Sequence, residues 1–126
     1  YNDMNVLSMH ALLGAYKPEG YEWVDELNQV LTENVNFACD YIRDHFDGVE
    51  VSKPDGTYML FLDCTKWCEK HGKTIEEVQR AGIEVGVIWQ DGRIFHGPCA
   101  IRLNLALPLS RVKEAMERLD RYVFNA

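Results

Sequence analysis

Apolar residues recur at helical spacing near the start of the chain, where Val6, Met9, Leu13 and Tyr16 keep step and predict a helix from Asp3 to about Tyr16. Pro18 and Gly20 then break the pattern. A longer stripe of Leu27, Val30, Leu31, Ala38, Tyr41 and Ile42 predicts a second helix from about Tyr21 to Phe46, closed by Gly48 and long enough to bridge two domains. After it the period falls to two. Val49 and Val51 mark a short strand, Pro54-Asp55-Gly56 a turn, and Tyr58 to Asp63 a second strand, so the pair predicts a hairpin. Thr74 with Glu77 forms a capping box for a short helix ending at Gly82. Val85, Val87 and Trp89 alternate as a third strand, and a Gly-rich loop fills 90–98.

The run CAIRLNLALPLS from Cys99 to Ser110 carries the chemistry. Alternation puts Cys99, Ile101, Leu103, Leu105 and Leu107 on one apolar face, which belongs to a core. The other face reads Ala100, Arg102, Asn104, Ala106, two polar groups flanked by methyls that leave room for a ligand. A guanidinium held on a strand suits a carboxylate, because its planar fork donates two parallel charge-assisted hydrogen bonds. An arginine on a half-exposed strand is also an ordinary solvated residue, and spacing leaves both readings open. His96, in the loop leading into this strand, is placed either over the same pocket or on the loop surface. Pro108 stops the strand, and Ser110 is expected to cap a last helix with Val112, Ala115, Met116, Leu119, Tyr122 and Val123 on one face.

Helices flanking hairpin-connected strands predict a two-layer α+β domain, a small antiparallel or mixed sheet with helices packed on it, and not a doubly wound fold. At 126 residues the chain can bury a core without staples. A net charge of -7, with Lys and Arg scattered, argues against nucleic acid as a partner. No apolar run approaches the roughly 20 residues of a membrane span, so a soluble, cytoplasmic protein is expected. Cys39, Cys64, Cys68 and Cys99 read as reduced thiols; Cys64, Cys68 and His71 lack the usual zinc spacing, so no metal site is expected. Gly72-Lys73-Thr74 lacks the earlier glycine of a phosphate loop, since Trp67 stands there. Ser110 and Lys113 have the S-x-x-K spacing without its companion motifs. The chain opens at Tyr1 without a methionine, which suggests a piece of a longer polypeptide.

Four runs together carry a resemblance: GAYKPEGYEWVDELNQVLTENVNF (14–37), KPDGTYMLFLDC (53–64), AGIEVG (81–86) and IRLNLALPLSRVKEAMERL (101–119). In this order they resemble the C-terminal, small domain of fold-type I, pyridoxal-phosphate-dependent enzymes of the class I/II aminotransferase family, nearest the cystathionine beta-lyase type of C-S lyase. The resemblance covers nearly the whole chain. It implies that Arg102 binds the substrate carboxylate, that His96 and Asn104 are candidate pocket rim, and that Tyr58 and Asp63 are structural. Residues 1–20 then read as helix and linker from a missing large domain, and 21–126 as the small domain.

The same resemblance implies pyridoxal 5'-phosphate in the full-length protein, held by a Schiff-base lysine, an acidic partner and a phosphate cradle with no counterpart here. Neither catalytic nor cofactor-binding residues are therefore expected on this chain, which alone should catalyse nothing. The implied parent is an aminotransferase acting on a small-molecule amino acid, homodimeric as full-length enzyme. Alternatives are a C-S beta-lyase of the same family or a non-catalytic carboxylate-binding or interaction module, including a dimerisation segment at 1–16. The chain departs from the family at IFHGPCA (94–100) and at Pro108-Leu109-Ser110, which alters the pocket rim and with it substrate preference.

Overall fold

The structure, a computed structural model, describes residues 4–126. The chain separates into two compact units, one up to Val30 and one from Leu31 to Ala126.

In the first unit, helix α1 (Val6–Ala15) is N-capped by Asn5, whose side chain accepts a hydrogen bond from the Ser8 amide at 2.9 Å. Helix α2 (Pro18–His45) starts at Pro18, earlier than the Tyr21 expected from the sequence. Proline suits that first position because its missing N–H would have no helical partner. Gly20 does not interrupt the helix. A Cβ there would lie 2.0 Å from the Ala15 carbonyl oxygen, so glycine is what permits α2 to begin so soon after α1. Val6, Met9 and Leu13 leave their apolar side chains exposed on α1, and the expected helix start at Asp3 lies outside the described residues.

The second unit contains the core. Strands β1 (Glu50–Val51), β2 (Met59–Asp63), β3 (Gln90–Asp91) and β4 (Ala100–Asn104) form a sheet of order β1-β2-β4-β3, antiparallel throughout and not mixed. The expected hairpin is present, with Val51 opposite Leu62. Helices α3 (Thr65–His71), α4 (Ile75–Glu84) and α5 (Leu109–Leu119) complete the element order, followed by a π turn at Asp120–Phe124. Val35, Ala38 and Ile42 of α2, Ile75 and Val78 of α4, and Val112, Met116 and Leu119 of α5 share one core with Leu60, Leu62, Ile101 and Leu103 of the sheet. The fold is two-layer α+β, as expected.

Three local expectations fail for identifiable reasons. Helix α3 was not expected; Asp63 Oδ1 accepts from the Thr65 amide and hydroxyl at 2.9 and 2.6 Å, and Gly72 ends the helix at φ 60°. The capping box of Thr74 and Glu77 opens α4 as expected, but the helix passes through Gly82 to Glu84. The indole of Trp89 fills the place of a side chain at Gly82, where a Cβ would lie 2.4 Å from Cζ2. Val85, Val87 and Trp89 form no strand: Val85 caps α4, Gly86 turns at φ 80°, and only Gln90–Asp91 pairs with β4. Ser110 is not a cap. It lies inside α5, whose N-cap is Pro108 with no capping side chain.

Candidate functional site

Strand β4 is the centre of the site. Ile101, Leu103 and Leu105 are buried as expected, but Leu107 is 48% exposed, so the apolar face ends early. Buried Asn34 explains where. Its Nδ2 donates to the carbonyls of Leu105 at 2.9 Å and Leu107 at 2.7 Å, satisfying backbone acceptors just beyond the end of the β ladder. Its signal in the sequence is a polar residue on the apolar stripe of α2, between Leu31 and Ala38.

On the open face, Arg102 lies between Phe61 of β2 and Gln90 of β3, its register partners on either side. Its Nη1 donates to Gln90 Oε1 at 3.2 Å, and the Phe95 ring covers the guanidinium, with Cζ 4.5 Å from the ring centroid. Among the described residues no carboxylate pairs with it, whereas Arg43, Arg93, Arg111 and Arg118 each meet an Asp or Glu. A partly buried, oriented guanidinium without an acidic partner has the chemistry to take an external anion, and its fork suits a carboxylate.

The flanking positions differ from expectation. Ala100 leaves no room, being only 2% exposed. Gly92 and Gly97 fill that space; a Cβ on Gly97 would lie 2.4 Å from Phe61 Cζ and 2.6 Å from Ala100 Cβ. The open face beside Arg102 is therefore bounded on that side by the turn Gly92–Phe95 and its continuation. Asn104 shares the open face, yet its Oδ1 accepts from the Ala106 amide at 2.8 Å and is turned toward its own backbone. It also lines a separate cavity of about 340 Å³ with Leu105, Leu107, Val112 and Met116, to which neither Arg102 nor His96 contributes. His96 ends the turn in a left-handed conformation, φ 65°, and its side chain is exposed, with no hydrogen bond or ring contact to Arg102. The sequence reading missed Gln90 and Phe95. An aromatic residue inside a Gly-rich loop was the visible signal for Phe95; Gln90 had none, because only the strand register brings it to Arg102.

The cysteines are free thiols. Burial pushes the Cys64 and Cys68 thiols well above the usual range, which keeps them protonated and unreactive. His71 Nδ1 donates to the Trp67 carbonyl, 2.8 Å away, and the imidazole stacks on the Trp67 ring, so it is part of the packing around α3.

No family model matches the chain. It is, however, 34% identical over 120 residues to a cystathionine beta-lyase of Corynebacterium glutamicum, covering 92% of this chain and 30% of that protein. It is 35% identical over 78 residues to an aspartate aminotransferase of Bacillus sp. strain YM-2, covering 60% of this chain and 20% of that protein. It superposes with TM-score 0.83 and 30% identity on a pyridoxal-phosphate-bound structure from Clostridium difficile described as an aminotransferase, over 96% of this chain and 30% of that one. The chain matches the C-terminal portion of fold-type I, pyridoxal-phosphate-dependent aminotransferases and C-S lyases. It spans about 30% of the length of the lyase relative.

Every lysine, from Lys17 to Lys113, is exposed in this chain taken alone. What the chain presents is the oriented guanidinium of Arg102 on the open face of the sheet.

Proposed function

We propose that this chain is the carboxylate-binding domain of a pyridoxal-phosphate-dependent aminotransferase, with Arg102 gripping the α-carboxylate of an amino-acid substrate. The observation that carries the reading is the guanidinium of Arg102, fixed by Gln90 and Phe95 and left without an acidic partner among the described residues. The cofactor, held by parts of the polypeptide outside this chain, supplies an electron sink for bond cleavage at the substrate Cα. Arg102 fixes the carboxylate and so sets which Cα bond faces that sink.

The alternative reaction is β-elimination from a sulfur amino acid. The 34% identity to a cystathionine beta-lyase over 92% of the chain favours it. Residues 1–20 belong with the cofactor-binding part of the parent, a reading supported by α1, which is apolar on all sides and buries none of its residues. The parent is a homodimer in the cytoplasm; no helix of the described residues is long and apolar enough to cross a membrane.

The deciding experiment is the visible absorption spectrum of the full-length protein before and after addition of amino acids. A cofactor band that shifts with substrate is the expected result. Pyruvate released from cystathionine then marks β-elimination, and amino transfer to a 2-oxo acid marks the aminotransferase. A full-length product with no such band overturns the proposal and leaves a binding module.

A further inference from the structure

Arg102 is held differently from a surface arginine, and each of its contacts limits how an anion can approach. Gln90 and Arg102 are register partners on adjacent antiparallel strands, so their side chains rise on the same face of the sheet. The Gln90 amide oxygen takes one hydrogen of Nη1 at 3.2 Å. The Phe95 ring covers one π-face, 4.5 Å from Cζ. What remains open is the edge formed by Nε and Nη2, which is a bidentate carboxylate edge.

The turn that carries Phe95 is itself built to stay put. Asp91 Oδ1 accepts from the Arg93 amide at 2.9 Å, and the side chain of Arg93 binds both Asp91 and Glu76 of α4. Its second glycine contact, Gly97 against Phe61 and Ala100, leaves no space for the loop to swing toward the sheet. The backbone that carries Phe95 is thus held from its own turn, without help from Arg102.

Resting on the reading of Arg102 as the carboxylate contact, we infer that Gln90 and Phe95 are positioning residues that orient the Arg102 guanidinium for one carboxylate presented edge-on. Gln90 holds Nη1 with a neutral acceptor, so the arginine is oriented without being neutralised. An acid at this position would also orient it, yet would compete for the same charge. Phe95 supplies the second constraint, setting the plane of the fork. A guanidinium pre-set in this way loses less rotamer freedom when the ligand arrives.

The test uses the full-length protein and two probes, L-alanine and L-alaninamide, the second lacking the carboxylate. Binding is read by calorimetry and by the shift of the visible band, with melting temperature as the check on folding. Gln90→Ala weakens alanine binding roughly two- to ten-fold, as for one neutral hydrogen bond. Gln90→Glu weakens it roughly ten-fold more, because the new carboxylate pairs with Arg102. Phe95→Leu weakens it roughly two- to five-fold, the loss of one cation–π contact. Alaninamide binding changes less than two-fold in all three. Equal alanine binding by Gln90→Ala, Gln90→Glu and the unaltered protein overturns the inference while Arg102→Ala still abolishes binding. If Arg102→Ala also binds alanine normally, the carboxylate reading falls as well. An equal loss for both probes assigns Gln90 and Phe95 a purely structural role and likewise overturns the inference.

Discussion

Arg93, in the turn after β3, and Arg102, in the middle of β4, are the same residue type on neighbouring segments, yet their surroundings differ in kind. The Arg93 Nε donates to both Asp91 oxygens at 3.0 and 2.9 Å, its Nη2 to Asp91 at 2.6 Å and its Nη1 to Glu76. Arg102 meets one neutral amide oxygen and one aromatic face. The first arginine is neutralised by acids of its own chain and fastens the turn to α4. The second is oriented and left charged. What separates the two arginines is the charge of the partner, which burial and strand position alone do not reveal.

The largest expected effect follows from that difference. Arg102→Ala in the full-length enzyme removes about 2 to 5 kcal/mol of transition-state stabilisation, as for a charge pair losing one partner. It shows as a fall in kcat/KM at low substrate. Melting temperature should hardly move, because no ion pair within the chain is broken. An unchanged kcat/KM erases the distinction between the two arginines.

Asn34→Leu reverses the pattern. It strips hydrogen-bond donors from the carbonyls of Leu105 and Leu107 behind the strand that carries Arg102, and costs about 1 to 3 kcal/mol of folding stability in denaturant titrations. Binding of a carboxylate probe by the folded protein should fall less than in Arg102→Ala. A variant as stable as the parent would show that water replaces the amide.

The candidate site was partly legible in the sequence, and the reasons are local. Alternation over 99–105 exposes Arg102 and Asn104 on one face without any knowledge of the rest of the fold. What occupies the space beside them depends on the turn Gly92–Phe95 folding back against Ala100, a contact between segments that no periodicity encodes. The same limit misplaced a strand. Val85, Val87 and Trp89 alternate as a strand does, but Val87 and Trp89 pack into the core from a segment with no ladder partner, Trp89 lying against Phe124. Helix α3 is short enough that its two buried residues, Trp67 and Cys68, make no stripe. The capping box at Thr74 was readable because both of its bonds lie within four residues.

Arg93→Ala gives a smaller effect than either preceding change, and an indirect one. The clamp to Asp91 and Glu76 is solvent-exposed, so little folding stability depends on it. The turn it holds carries Phe95, however, so the variant should weaken carboxylate binding modestly, in the same direction as loss of the aromatic contact and with no more than its magnitude. A carboxylate affinity below that of Arg102→Ala would mean that Arg93 itself takes the ligand, which inverts the comparison.

Acid gives the mildest test of the fastener. Arg93 beside Asp91 holds that carboxyl down to about 2, from an ordinary value of 3.8. A folded-state value below the unfolded one means the carboxylate form is favoured by folding, so the contribution is fully present above about pH 4 and is lost as pH falls through about 2. Across the physiological range the Asp91–Arg93 contact is therefore constant. Carbon-detected NMR titration of the Asp91 carboxyl should show its midpoint well below that of an unpaired aspartate, and Arg93→Ala should return it toward 3.8. An ordinary midpoint in the unaltered protein would show that Asp91 does not neutralise Arg93, leaving two charged arginines on neighbouring segments where the structure distinguishes one.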